Sequence, residues 1–176
     1  MSKITDPELL ESEKIDVLDV RPIIADGREP FQTIMDRLGA LEEDQTLVLV
    51  APFNPRPLKQ YVRSQGYVYD FRKPEEGMTW MSIYQGEEEP PHEHDVTFPT
   101  TVIPVPGGMV HIVDLREVAP GEWSEEVQNF VEEIPCEDRI VLHCGREQHD
   151  FDRYDEFQTS VHETEEGTRV EMYRNS

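Results

Sequence analysis

Cysteine and histidine meet at one point of this chain: His143 and Cys144 are adjacent, and His149 follows five residues after Cys144. A thiolate beside an imidazole is a pair for nucleophilic or redox chemistry, and the same side chains ligate zinc. Ile140-Val141-Leu142-His143 reads as a buried strand. Side chains alternate along a strand, so His143 and Cys144 point to opposite faces, and Cys144 can converge with His149 only across the next loop. The plainer reading makes Cys144 a small core residue aligned with Ala51. A disulfide to Cys136 is not expected. The strand from Arg139 to Cys144 spans roughly 16 Å at about 3.3 Å per residue, whereas a disulfide tolerates Cα separations under about 7 Å.

Further candidates are spread along the chain. His92-Glu93-His94-Asp95 alternates imidazole and carboxylate, but two ligands at i, i+2 do not make a closed zinc site. A metal there needs recruits from His143, Cys144 and His149. Arg56, Lys59 and Arg63 stand at i, i+3 and i+7 on one side of a predicted helix, with Leu58, Tyr61 and Val62 on the other. Arg56 lies in the first turn, where free N–H groups favour anions. That stripe fits an acidic protein partner or a small anion; the plainer alternative is pairing with nearby carboxylates on a solvated face. Asp19/Arg21 and Asp114/Arg116 sit at the ends of two strands and read as structural bridges. A glycine-rich phosphate loop, a Ser-His-Asp ordering and a His-Glu-x-x-His motif are all absent from the sequence.

An internal repeat organises the elements that carry these residues. Ile15-Asp16-Val17-Leu18-Asp19-Val20-Arg21 is answered by Val110-His111-Ile112-Val113-Asp114-Leu115-Arg116, each an apolar strand ending in Asp-Val/Leu-Arg. Phe31, Ile34, Met35, Leu38 and Leu41 then mark one helical face, and Val127, Phe130, Val131 and Ile134 repeat the spacing. The buried-type strands Leu47–Val50 and Ile140–His143 follow. Asn54-Pro55 predicts an N-cap and first-turn proline for a helix that Gly66 stops; the matching stretch Gly145–Phe151 holds a poorer helix. Extra strands at Tyr67–Arg72 and Glu156–His162 lead to Glu-Glu-Gly turns and closing strands at 80–84 and 170–173. The order is β-α-β-α-β-β in both copies, an α/β chain. The organisation expected is a unit over 1–84 with a short N-terminal helix, a proline-rich acidic linker over 85–108, and a second, degenerate unit over 109–176. Within the linker, Val102–Val105 has the character of an extended strand.

Composition narrows the partners. The 176 residues carry 38 acidic and 16 basic groups, net -22, a surface that repels phosphate backbones and argues against nucleic acid. Only four of the basic residues are lysines (Lys3, Lys14, Lys59, Lys73). Dense carboxylate with scarce lysine resembles cytoplasmic proteins of salt-accumulating microbes, where a Debye length of about 3 Å at molar salt silences self-repulsion, and points to a halophilic archaeon. Residues 1–84 hold 10 basic and 15 acidic groups against 6 and 18 in 109–176, which favours the first unit for any anion-facing surface. No apolar run is long enough to span a membrane, and Met1–Asp6 lacks a signal-peptide core. A cytoplasmic location is expected.

Leu18-Asp19-Val20-Arg21, the Glu29-Pro30 helix start, Asn54-Pro55-Arg56-Pro57-Leu58 and Gly77-Met78-Thr79-Trp80 together resemble the TusA/SirA-like superfamily, in its branch of unknown function. The resemblance covers about 15–85, and 109–174 only through the repeat. It implies a two-layer sandwich in each unit, two helices on one face of a four-stranded mixed sheet. Sulfur carriers of this superfamily hold a persulfide on a cysteine at the start of the first helix. Here Glu29 precedes Pro30, and a carboxylate carries no sulfur. The expectation is therefore a non-enzymatic binding or carrier-accessory module, with Glu29, Asn54, Arg56, Lys59 and Arg63 at the contact surface. The alternatives are a sulfur-transfer or redox protein using Cys144, or a metal protein using the His/Cys set.

Overall fold

A computed structural model describes residues 4–87, 98–117, 127, 129–135, 137–145, 156–165, 167–174. It divides into two compact units. Each is built on a mixed sheet.

In the first unit a 3₁₀ turn at Pro7–Leu10 precedes β1 (Ile15–Asp19) and a short helix α1 (Arg21–Ala25). Then follow α2 (Phe31–Ala40), β2 (Thr46–Ala51), α3 (Arg56–Ser64), β3 (Val68–Glu75) and β4 (Met78–Tyr84). The sheet order is β1-β2-β4-β3. β1 runs parallel to β2, while β4 is antiparallel to both β2 and β3. The period-3.6 face read from the sequence is the one α2 buries, through Ile34 and Leu38. α3 buries Leu58 and Val62. Both helices join one core with Leu18, Leu47, Leu49, Met81 and Ile83.

The second unit has β6 (Gly108–Asp114), a helical stretch that includes Val127 and 129–133, β7 (Arg139–Cys144), β8 (Phe157–Thr164) and β9 (Gly167–Arg174). β6 is parallel to β7, and β9 is antiparallel to β7 and β8. The order β6-β7-β9-β8 thus has the strand directions of the first sheet. Equivalent positions coincide: Asp19 stands opposite Val50 and Val50 opposite Trp80, as Asp114 stands opposite His143 and His143 opposite Arg169. Val127, Phe130, Val131 and Ile134 pack with Val113, Ile140, Leu142, Val170 and Met172.

One expectation needs correction. The second sheet has five strands rather than four, because β5 (Thr100–Val105) is added beside β6. Part of the expected linker is therefore strand. Val102, Ile103 and Val105 are buried, and Pro104 is tolerated because β5 lies at the sheet edge, where a missing N–H costs no ladder bond. In both sheets the central strands bury residues on either face. Away from α2 and α3, Val48, Val50, Trp80, Ser82 and Tyr84 are buried; away from the second unit's helical stretch, Val110, Ile112, Val141, His143 and Glu171 are buried. The central strands carry continuous apolar runs for this reason.

Candidate functional site

α3 begins one residue later than its sequence signals suggest. Pro55 takes the N-cap position, where it offers no capping side chain, and Pro57 sits in the first turn. Asn54 lies outside the helix and contributes its backbone carbonyl, which accepts from the Arg56 N–H at 3.0 Å. The end is as expected. Gly66 adopts φ +88°, its N–H donates to Arg63 O, and the Tyr67 N–H donates to Val62 O. Those two bonds satisfy carbonyls that the helix terminus leaves open.

The stripe predicted on this helix is present, but its partners are rings. Lys59 Nζ lies 3.6 Å from the Phe71 ring centre and 5.6 Å from that of Tyr69, and the Arg63 guanidinium lies 4.9 Å from Tyr69. Tyr69 and Phe71 are two apart on β3, so they share a face. Burial, and then the Arg56 guanidinium, push the Lys59 ammonium below its usual pKa. Among the described residues no carboxylate lies within ion-pair distance of Arg56 or Lys59. The expected alternative, neutralisation by neighbouring acids, does not hold for these two.

The opposite flank of α3 meets the head of α2. Tyr61 packs edge-on against Phe31, ring centres 5.7 Å apart. Just before Phe31, Glu29 is exposed and its Oε1 accepts from the Phe31 N–H at 3.3 Å. Phe31, Tyr61 and Phe53, in the loop before α3, are three of the four large hydrophobic side chains that stand exposed among the described residues. The sequence places Phe31 and Tyr61 on the apolar faces of their helices, yet both stand exposed at the rim; Phe53, Tyr69 and Phe71 were not singled out, although Tyr69 and Phe71 carry a signal, since i, i+2 on a strand matches i, i+4 on the helix above.

In the second unit Cys144 is a free, buried thiol in the helix-side core. Burial, with a smaller contribution from the Asp114 charge, pushes it up to about 12, so it holds no thiolate at neutral pH. His143 occupies the other face, as alternation requires. Among the described residues neither belongs to a cluster of three metal-ligand side chains. His92, His94, His149 and Cys136 lie outside the described residues. Asp19 and Asp114 form the same clamp in both sheets. Arg21 donates through Nε and Nη2 at 3.0 and 2.8 Å, and Arg116 through the same atoms at 2.9 and 3.0 Å. Arg21 also donates to the Met78 sulfur at 3.4 Å.

One buried polar pair was missed. His111 Nε2 lies 2.7 Å from Asp138 Oδ2, and Asp138 Oδ1 accepts from the Met109 N–H at 3.1 Å. His111 is embedded in the apolar run Met109-Val110 and Ile112-Val113, which is a signal for burial; nothing in the sequence ties it to Asp138, 27 residues away.

Residues 17–81 match the family described as an uncharacterized conserved protein (DUF2249). The matched stretch runs from β1 into β4, so it contains Glu29, Asn54, Arg56, Lys59 and Arg63 but neither Cys144 nor His143. No curated protein and no solved structure matches the chain. No helix among the described residues is long and apolar enough to cross a membrane.

Proposed function

We propose that this chain is a non-enzymatic binding or carrier-accessory module: two tandem TusA-like units, the second degenerate, from the salt-rich cytoplasm of a halophilic archaeon. The first unit docks an acidic protein partner on α3. The observation that carries this reading is the pair of cations seated on Tyr69 and Phe71, beside the exposed Arg56, in a chain of net charge -22. A helix held this way presents positive charge without a local acid to cancel it at Arg56 and Lys59. Exposed Phe31, Phe53 and Tyr61 add contact that salt strengthens rather than screens, as a partner in molar salt requires. The shared strand order of the two sheets supports the tandem origin, and the family match, confined to the first unit, supports the degeneracy of the second.

The test is titration of a fluorescent oligoglutamate peptide at low and molar salt, with backbone amide shifts mapped by NMR. Arg56→Glu combined with Arg63→Glu is expected to weaken binding about tenfold or more, equivalent to ~1.4 kcal/mol, and the shifts to cluster on α3 and the head of α2. Equal binding by the reversed protein, or shifts confined to the second unit, overturns the reading.

A further inference from the structure

The strands at the sheet edges are not equally protected. An edge strand exposes a row of free N–H and C=O groups, and proteins guard it with short length, proline, lysine or a bulge. β1 has five residues. β3 carries Lys73-Pro74 and shifts register between Arg72 and Glu75. β5 carries Pro104. β8 has none of these devices. All eight of its residues pair with β9 in unbroken register, from Phe157 opposite Arg174 to Thr164 opposite Gly167. It contains neither proline nor lysine, and Gln158, Thr159, Val161, Glu163 and Thr164 are exposed. Val161 is 58% exposed, the most of any large hydrophobic side chain in the described residues.

We propose that β8 pairs antiparallel with β8 of a second copy of this chain, about a two-fold axis through Val161, forming a dimer at high salt. The sequence of the strand is self-complementary in that register. Val161 meets its own counterpart, Ser160 meets His162, Thr159 meets Glu163, and Gln158 meets Thr164. No charge faces a like charge, the arrangement that destabilises cross-strand pairs. A two-fold axis normal to the sheet maps each face onto itself, so paired residues share parity, as these do. The whole-chain charge opposes association, because each copy brings -22. Screening removes that opposition: the Debye length falls from ~10 Å at about 0.1 M to ~3 Å at about 1 M salt.

Sedimentation equilibrium of the full chain at those two salt concentrations reads the assembly. The expected mass is 20.5 kDa at low salt and twice that at high salt. Val161→Lys, an exposed substitution that leaves the β9 side of the strand untouched, is expected to stay monomeric in both, with an unchanged circular dichroism spectrum. The register is read by oxidation at high salt in a Cys136→Ser background. Val161→Cys is expected to form a disulfide-linked dimer, since cross-strand Cα distances of roughly 4.5–5.5 Å suit a disulfide. Thr159→Cys, on the same face but opposite Glu163, is expected not to. A monomer at every salt concentration overturns the proposal, as does a dimer that survives Val161→Lys, or cross-linking of Thr159→Cys as efficient as that of Val161→Cys.

Discussion

Buried polar and thiol groups set the most local expectations. With its thiol pushed up to about 12, Cys144 contributes stability that is intact below the unfolded thiol value of about 8.5 and drains as pH climbs toward the folded one. Iodoacetamide should therefore label it at least about 100-fold more slowly than a free thiol in a Cys136→Ser protein, with the rate rising only as urea unfolds the chain; fast labelling of the native protein contradicts the packing assignment. Asp138 is a different case, because its removal strands two buried donors. Asp138→Ala is expected to cost about 1–3 kcal/mol in urea unfolding, and Asp138→Asn distinctly less. At Asp114 burial acts to raise the carboxyl, but hydrogen bonds from the Arg116 side chain and backbone, with the Arg116 and His143 charges, together hold it below its ordinary 3.8. For Asp19 the Arg21 side-chain bond leads, in the same direction. Carboxyls lowered by folding stabilise above about pH 4, and that contribution disappears as pH falls through their lower folded values. Asp19→Asn with Asp114→Asn should flatten the stability curve below pH 4 and leave its slope between pH 6 and 8 unchanged. Of this residue-level picture, the Asp-x-Arg clamps were legible because both partners are local. The His111–Asp138 pair and the rings under Lys59 were not, since strand pairing and helix docking bring them together over long stretches of chain.

Elements were more readable than their contacts. Period-3.6 apolar spacing located α2, the apolar run at 47–50 located β2, and Gly66 located the end of α3, because each signal acts within a few residues. The start of α3 was misplaced at Asn54 because two prolines two residues apart compete for the first turn. β5 was only half recognised, since five prolines and five acids in 85–108 outweigh the short run 102–105 until an adjacent strand offers it a ladder. Glycine tests the turns directly. At Gly66 an added Cβ meets nothing within 4 Å, so Gly66→Ala bears only the left-handed backbone penalty of about 1–2 kcal/mol. At Gly167, φ +153°, an added Cβ falls 2.1 Å from the Cys144 carbonyl oxygen. Gly167→Ala should cost more than about 3 kcal/mol or prevent folding; thermal melts ranking the two variants in the other order would contradict that geometry.

Charge belongs to the whole molecule. A chain of net -22 gains compactness wherever ions screen it, so its melting temperature should rise by several degrees between about 0.1 and 1 M potassium chloride. An unchanged or falling value counts against adaptation to salt. The strand order that the two sheets share was legible at this scale from two strand motifs alone. The burial of both sheet faces was visible only in the unbroken apolar runs of the central strands, which do not say what lies above them.

The strand orders have a consequence for synthesis. β4 and β9 are the last strands made in their sheets, yet both lie inside them, between β2 and β3 and between β7 and β9's own neighbour β8. A nascent chain that has emerged as far as Glu75 exposes β1, β2 and β3, but β3 then has only its ring contacts with α3, because its strand partner β4 has not emerged. Neither sheet can therefore be completed strand by strand in the order of synthesis. Protease resistance in a nascent chain should arrive abruptly, once Tyr84 and later Arg174 have cleared the exit tunnel, and not in increments along the way.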